Sequence, residues 1–220
     1  MKKALIFRGG WEGHEPVQTS DIVADSLRAR GLDVEVYDSQ DCLLQGNLEN
    51  KYDVVIPVWT MGDLIPEGSI ALRTAVMNGV GLGGWHGGLC DAFRQDTEYQ
   101  FMTGGQWVAH PGNIIDYRVE ITGKDPIVKG ISDFNMHSEQ YYMHVDPGNE
   151  VLAVTRFNGA HCPWIDGTVM PVVWKRMYGK GKVFYSSLGH NADDFRQVPQ
   201  ILEIVIRGIC WDAGMEAPKQ

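Results

Sequence analysis

Short apolar runs alternate with helix-period stretches through the first part of the chain. Ala4 to Phe7 is an apolar run that stops at Gly9-Gly10 and reads as a first strand. Val17, Ala24 and Leu27 then recur near helical spacing, and Gly31 closes that predicted helix. Val34 to Tyr37 and Val54 to Val58 read as the next two strands. Glu67 to Met77 reads as a helix with Ile70, Thr74 and Met77 on one side and Gly79 past its end, and Val80 to Gly84 as a fourth strand. Strand–helix–strand alternation at this spacing predicts a parallel sheet with helices on both faces.

Beyond Cys90 the pattern changes. Arg94 to Gly112 is rich in glycine, aromatic and polar residues and reads as an irregular, loop-bearing segment. Strand-like runs follow at Tyr117 to Ile121, Val151 to Thr155, Met170 to Trp174 and Lys182 to Ser186, separated by Gly and Pro groups, which suggests added, partly antiparallel strands. The last element is the clearest helix: Val198, Ile201, Leu202, Val205, Ile206 and Ile209 form one stripe, with Pro199 near its first turn and Gly214 past its end. No repeat, low-complexity tract or linker interrupts the chain, so residues 1–220 are expected to form one domain.

Composition narrows the function classes. The 220 residues are 44% hydrophobic and 21% charged, as in an ordinary globular protein, and carry a formal net charge of −9 without a basic stripe. That balance disfavours nucleic acid and anionic membrane surfaces as partners. The apolar runs are too short to span a bilayer, and the start of the chain reads as a strand rather than a signal peptide. Cys42, Cys90, Cys162 and Cys210 are widely separated and lack C-x-x-C spacing, so reduced thiols and a cytoplasmic location are expected.

Candidate chemistry gathers at strand ends. Gly84-Trp85-His86-Gly87-Gly88 has the form of a nucleophile elbow, in which glycines at minus two and plus two allow a sharp strand-to-helix turn that exposes the middle side chain. Ser or Cys normally stands there, and an imidazole is instead suited to acid/base work or metal ligation. Gly189-His190 ends a later strand and would share a crevice with His86 if the two strands are neighbours. Asp193 and Asp194 have the plainer role of capping the last helix. His14 and Glu15 lie past the first strand, His110 stands before Pro111, and His137-Ser138-Glu139-Gln140-Tyr141-Tyr142 is a titratable, aromatic cluster. Trp11, Trp59, Trp85 and Trp107 fall in or beside these loops, where indole faces suit sugar rings; Trp164, Trp174 and Trp211 read as core.

Four segments, in this order, resemble the trehalose-utilisation (ThuA-like) family: Gly-Trp-His-Gly-Gly, Gly-Gly-x-Trp with His110-Pro111, Pro171-Val172-Val173-Trp174, and Gly-Lys-Gly-Lys-Val-Phe-Tyr running to Gly189-His190. The resemblance implies a single ThuA-like domain with a flavodoxin-like fold related to class I glutamine amidotransferases, a mostly parallel sheet with helices on both faces and added strands in the second half. It places His86 at the amidotransferase nucleophile position and His190 near that of its catalytic histidine, so glutaminase activity does not carry over. The family often has Asp-Glu-x-Tyr where this chain reads Ser138-Glu139-Gln140-Tyr141; Glu139 and Tyr141 match and the aspartate does not.

The family association is with disaccharide and keto-sugar metabolism, and some members are associated with a divalent metal held by histidines. The expectation is therefore a carbohydrate-active hydrolase, lyase or isomerase acting on a small saccharide. His86, His190 and Glu139 are its catalytic candidates, and Trp11, His14, Trp85, Trp107, His110 and Tyr141 its substrate-binding candidates. His86, His190 and His14, with Glu139, are the candidate ligands of a divalent metal such as zinc. The alternatives are a non-catalytic sugar-binding or accessory module, and a divergent hydrolase using Cys90 or Ser187. Self-association is compatible with such a fold.

Overall fold

The computed structural model describes residues 1–215. Its first part runs β1 (Lys3–Gly10), α1 (Pro16–Ala29), β2 (Asp33–Tyr37), α2 (Leu48–Lys51), β3 (Val54–Thr60), α3 (Pro66–Asn78), β4 (Gly81–Trp85) and α4 (His86–Cys90). Then follow α5 (Thr97–Thr103), β5 (Gly105–Ala109), β6 (Ile114–Ile121), β7 (Phe134–Glu139), β8 (Tyr142–Val145), β9 (Glu150–Arg156), β10 (Val169–Tyr178) and β11 (Gly181–Ser186). Helices α6 (Ala192–Gln197) and α7 (Pro199–Asp212) are the last elements among the described residues.

Nine strands form one mixed sheet in the order β2-β1-β3-β4-β11-β10-β9-β6-β7. The first five are mutually parallel, and the order 2-1-3-4 followed by a fifth strand is the flavodoxin-like arrangement expected from sequence. From β11 onward the pairings are antiparallel. Strands β5 and β8 pair antiparallel in a small separate sheet.

The parallel strands are apolar throughout because both of their faces are covered. In β1, Ala4 and Ile6 join a core with Val23, Ala24 and Leu27 of α1 and Ile201, Ile204 and Val205 of α7. Leu5 and Phe7 point the other way, into a core with Leu72, Ala75 and Val76 of α3. α7 carries Pro199 in its first turn and buries the expected stripe.

Several expectations need correction. Arg94 to Gly112 is not irregular: it holds α5, capped by Asp96 through Tyr99 N–H, and β5. On α3 the side marked by Ile70 and Met77 faces solvent, and Leu72, Ala75 and Val76 face the sheet. Trp164 is not core but 82% exposed. Neither Asp193 nor Asp194 caps the last helix; Asn191 caps α6 by accepting from Asp194 N–H, and α7 starts at Pro199 without a side-chain cap. The four thiols are free, three of them buried. Among the described residues, no helix is long and apolar enough to cross a membrane.

Candidate functional site

The carboxyl ends of β1, β3, β4 and β11 are neighbours, so the segments after them meet over one crevice. β1 leads through a short 3-10 turn, Glu12–His14, to His14. β4 breaks at His86, whose φ of 46° is left-handed for a non-glycine residue and marks a strained strand-to-helix turn. The flanking glycines are needed for space: a Cβ at Gly84 would come within 2.9 Å of Leu89 Cβ, and one at Gly88 within 3.1 Å of Val58 Cα. The elbow expected from sequence is therefore present, with an imidazole at its tip. Tyr185 O–H donates to the carbonyl of His86 at 3.0 Å and fixes the bend from β11.

Glu139 arrives from the antiparallel half, at the end of β7. Its Oε2 lies 3.1 Å from His86 Nε2, 3.4 Å from His190 Nδ1 and 3.7 Å from His14 Nε2. His190 Nδ1 is 3.3 Å from His86 Nε2. One atom from each of His14, His86, Glu139 and His190 thus falls within 4.8 Å of every other. His14, His86 and Glu139 are buried and His190 is half-buried.

The outer nitrogens of His86 and His14 are committed. His86 Nδ1–H donates to the Ser187 carbonyl at 2.8 Å, which leaves Nε2 as a bare lone pair in the neutral ring. Burial holds the His86 pKa down to about 3, helped by His14 and His190 and opposed by Glu139. His14 Nδ1 pairs with Thr60 Oγ1 at 2.8 Å. Burial works against ionising Glu139, yet hydrogen bonding from His14 and His190 holds its carboxyl well below the usual carboxylate range. Burial also works against a charged His190, but Glu139 outweighs it and raises that pKa. A neutral His86 lone pair and an ionised carboxylate oxygen, 3.1 Å apart, are two acceptors facing each other. A cation between them resolves that conflict. Tetrahedral zinc with bonds of about 2.0–2.1 Å spaces its ligand atoms by about 3.4 Å, so the residues present fit a divalent metal.

An aromatic wall flanks this cluster. Tyr141 stacks on His86 with ring centroids 4.1 Å apart, and His110 and Trp107 continue that wall. His110 Nε2 reaches within 3.8 Å of Glu139 Oε1, the carboxylate oxygen turned away from the three other imidazoles. Trp11, 47% exposed, stands edge-on to His14 at 4.7 Å. Trp85 is the exception among the sugar-platform candidates: it is 3% exposed and packs edge-on against Phe195 in the α1/α7 core, so it offers no face to the crevice. His137 also lies apart, exposed and paired with Asp116. Cys90 is buried, and burial pushes its thiol pKa far up, which makes it inert as a nucleophile.

Sequence reasoning missed Thr60, the Ser187 carbonyl and the Asp91–Arg94 pair. Arg94 forks onto the buried Asp91 carboxylate at 2.6 and 3.0 Å and lies over the Trp107 ring at 4.5 Å. The i,i+3 spacing of Asp91 and Arg94 was its one visible signal.

The family model described as ThuA, trehalose utilisation, matches residues 3–212. The chain belongs to the ThuA family. Its fold recurs in a ThuA-like protein of Bacteroides uniformis, at 19% identity and a TM-score of 0.76, covering 98% of this chain and 94% of that one. A ThuA-like protein of Parabacteroides merdae is similar at 17% identity and a TM-score of 0.78, covering 100% and 92%. A β-galactosidase of Bacillus circulans sp. alkalophilus shares the fold over 98% of this chain but only 32% of its own, at 16% identity and a TM-score of 0.61. No curated protein matches this ThuA-family chain in sequence. At these identities the structural likenesses establish the fold alone.

Proposed function

We propose that this ThuA-family chain is a divalent-metal-dependent enzyme acting on a small saccharide or keto-saccharide, with His14, His86, Glu139 and His190 as the metal ligands. The single observation that carries the reading is the convergence of His14, His86, Glu139 and His190, whose ligand atoms lie within 4.8 Å of one another, with His86 Nε2 3.1 Å from Glu139 Oε2. A donor set of three imidazoles and one carboxylate suits zinc and neighbouring first-row metals. When bound, such a metal supplies Lewis-acid polarisation of a sugar carbonyl or hydroxyl.

The chain's own groups account for the rest. The Ser187 carbonyl keeps His86 in the tautomer whose Nε2 lone pair faces the centre. Burial of the cluster keeps bulk water from competing for these atoms. His110, at 3.8 Å from Glu139 Oε1 and partly open, is the group placed to exchange a proton with a substrate oxygen. Trp11 and Trp107 supply indole faces for sugar rings. The free thiols support a reducing, cytoplasmic setting.

The test is elemental analysis of protein purified without chelator or affinity metal, followed by turnover of trehalose-type and keto-saccharide substrates by wild type and His86→Ala. Stoichiometric metal and loss of turnover in the variant are expected. Equal turnover in both proteins would overturn the assignment, and saccharide affinity without turnover in the metal-loaded protein would reduce the chain to a binding module.

A further inference from the structure

Four donor atoms drawn from four separate stretches of chain need something to hold their spacing. Ties from three of those stretches end on one short segment, residues 187–194, which carries the fourth. His86 itself donates to the Ser187 carbonyl at 2.8 Å. Glu15, the residue after His14, accepts from Ala192 N–H through Oε2 at 3.0 Å. Ser138, the residue before Glu139, donates to Asp194 Oδ2 at 2.7 Å, and the same Oδ2 accepts from His190 N–H at 3.0 Å. Each bond links a ligand, or the neighbour of a ligand, to the loop that presents His190.

Glu15 and Asp194 both stand where local logic would use them as helix caps, and neither is used so. Glu15 precedes α1 but makes no side-chain cap to it. Its φ of 46° is left-handed, and its carboxylate reaches across the crevice to Ala192 instead. Asp194 sits in the first turn of α6, whose cap is Asn191, and that bond anchors Asp194 while its own carboxylate turns back to His190 and Ser138. Ser138 is 2% exposed, so its hydroxyl has little water to turn to. The left-handed backbone of Glu15 closes the Glu12–His14 turn through its N–H to the Glu12 carbonyl, and its carboxylate is spent on the longer-range bond to Ala192.

We infer that Glu15 and Asp194 are positioning residues for the metal centre: their carboxylates clamp residues 187–194 so that His190 stands at ligand distance from Glu139 and His86. The inference rests on the metal reading above and adds to it the groups that set the geometry. Outer hydrogen bonds of this kind orient ligands without touching the ion, and their loss typically weakens metal binding about 10–100-fold.

The test uses Co2+ as probe on the full chain stripped of metal, measuring affinity and the visible ligand-field spectrum. Glu15→Ala, Asp194→Ala and the milder Ser138→Ala are each expected to bind Co2+ about 10–100-fold more weakly, with an altered spectrum. Glu15→Gln and Asp194→Asn keep one acceptor oxygen and are expected to stay close to wild type in both readouts. Alanine variants that bind Co2+ as wild type does, with the same spectrum, would overturn the clamp while leaving the metal centre standing. Equal losses in the alanine and the amide variants would also overturn it, since charge rather than hydrogen bonding would then be responsible. A wild type that takes up no Co2+ would remove the metal reading and the clamp together.

Discussion

At position 86 the backbone, the ring tautomer and the charge state are all set by neighbours. The left-handed bend aims the ring into the crevice, Tyr185 O–H donates to its carbonyl, and the Ser187 carbonyl accepts from its Nδ1–H. A thiolate nucleophile needs a positive neighbour to form, whereas this site is built to keep an imidazole neutral. A second buried group tells a different story. Asp212 of α7 is 3% exposed, neither of its carboxylate oxygens has a hydrogen-bond partner among the described residues, and burial raises its pKa well above the ordinary range, with Lys182 pulling the other way. The folded chain therefore retains a proton that the unfolded chain releases above about pH 4. Stability is largest below that value and falls as pH rises towards the folded-state pKa, by up to about 1.4 kcal/mol per pH unit. Asp212→Asn removes that loss, so its stability relative to wild type should grow with pH; urea unfolding at pH 5 and pH 8 checks this, and a difference that does not change with pH would contradict it.

Elements differ in how much of them could be read from sequence, and the difference has physical causes. β1, β3 and β4 are covered on both sides, so their apolar runs were plain, and α7 announced itself by its stripe. α5 is only seven residues long, and β5 exists because β8 pairs with it, so local pattern carried little of either. β7 carries a period-two signal in Phe134 and Met136 alternating with Asn135 and His137, but its last residues, Ser138 and Glu139, are polar and both buried, which breaks the pattern. Of the site, the imidazoles at the strand ends were legible and their convergence with Glu139 was not, because β7 lies at the far edge of the sheet. Two substitutions probe these elements. Ile204→Ala in α7 empties a fully buried position and should cost about 2–5 kcal/mol in denaturant unfolding. Gly10→Ala should destabilise more locally, since its φ is 79° and its Cβ would lie 2.3 Å from the Thr60 carbonyl oxygen. That contact pushes the ends of β1 and β3 apart and with them the His14–Thr60 pair, so metal affinity should fall along with the melting temperature.

For the whole molecule, a metal held by Glu139 of β7 and by the histidines that follow β1, β4 and β11 would fasten the parallel half to the antiparallel half. A ligand that binds only the folded state stabilises it by about 2.7 kcal/mol at a hundredfold excess over its Kd. Wild type should therefore melt higher with Zn2+ than with chelator, and His86→Ala should show no such difference in a thermal scan.

The strand order also bears on biosynthesis. β11 lies between β4 and β10 although residues 86–180 separate it from β4 in sequence. A nascent chain leaving the ribosome therefore carries β4 with one bare hydrogen-bonding flank until residues 181–186 arrive to cover it. Such distant pairings slow folding and leave an adhesive edge in the interval, so β4 is the strand most open to mispairing while the chain is being made.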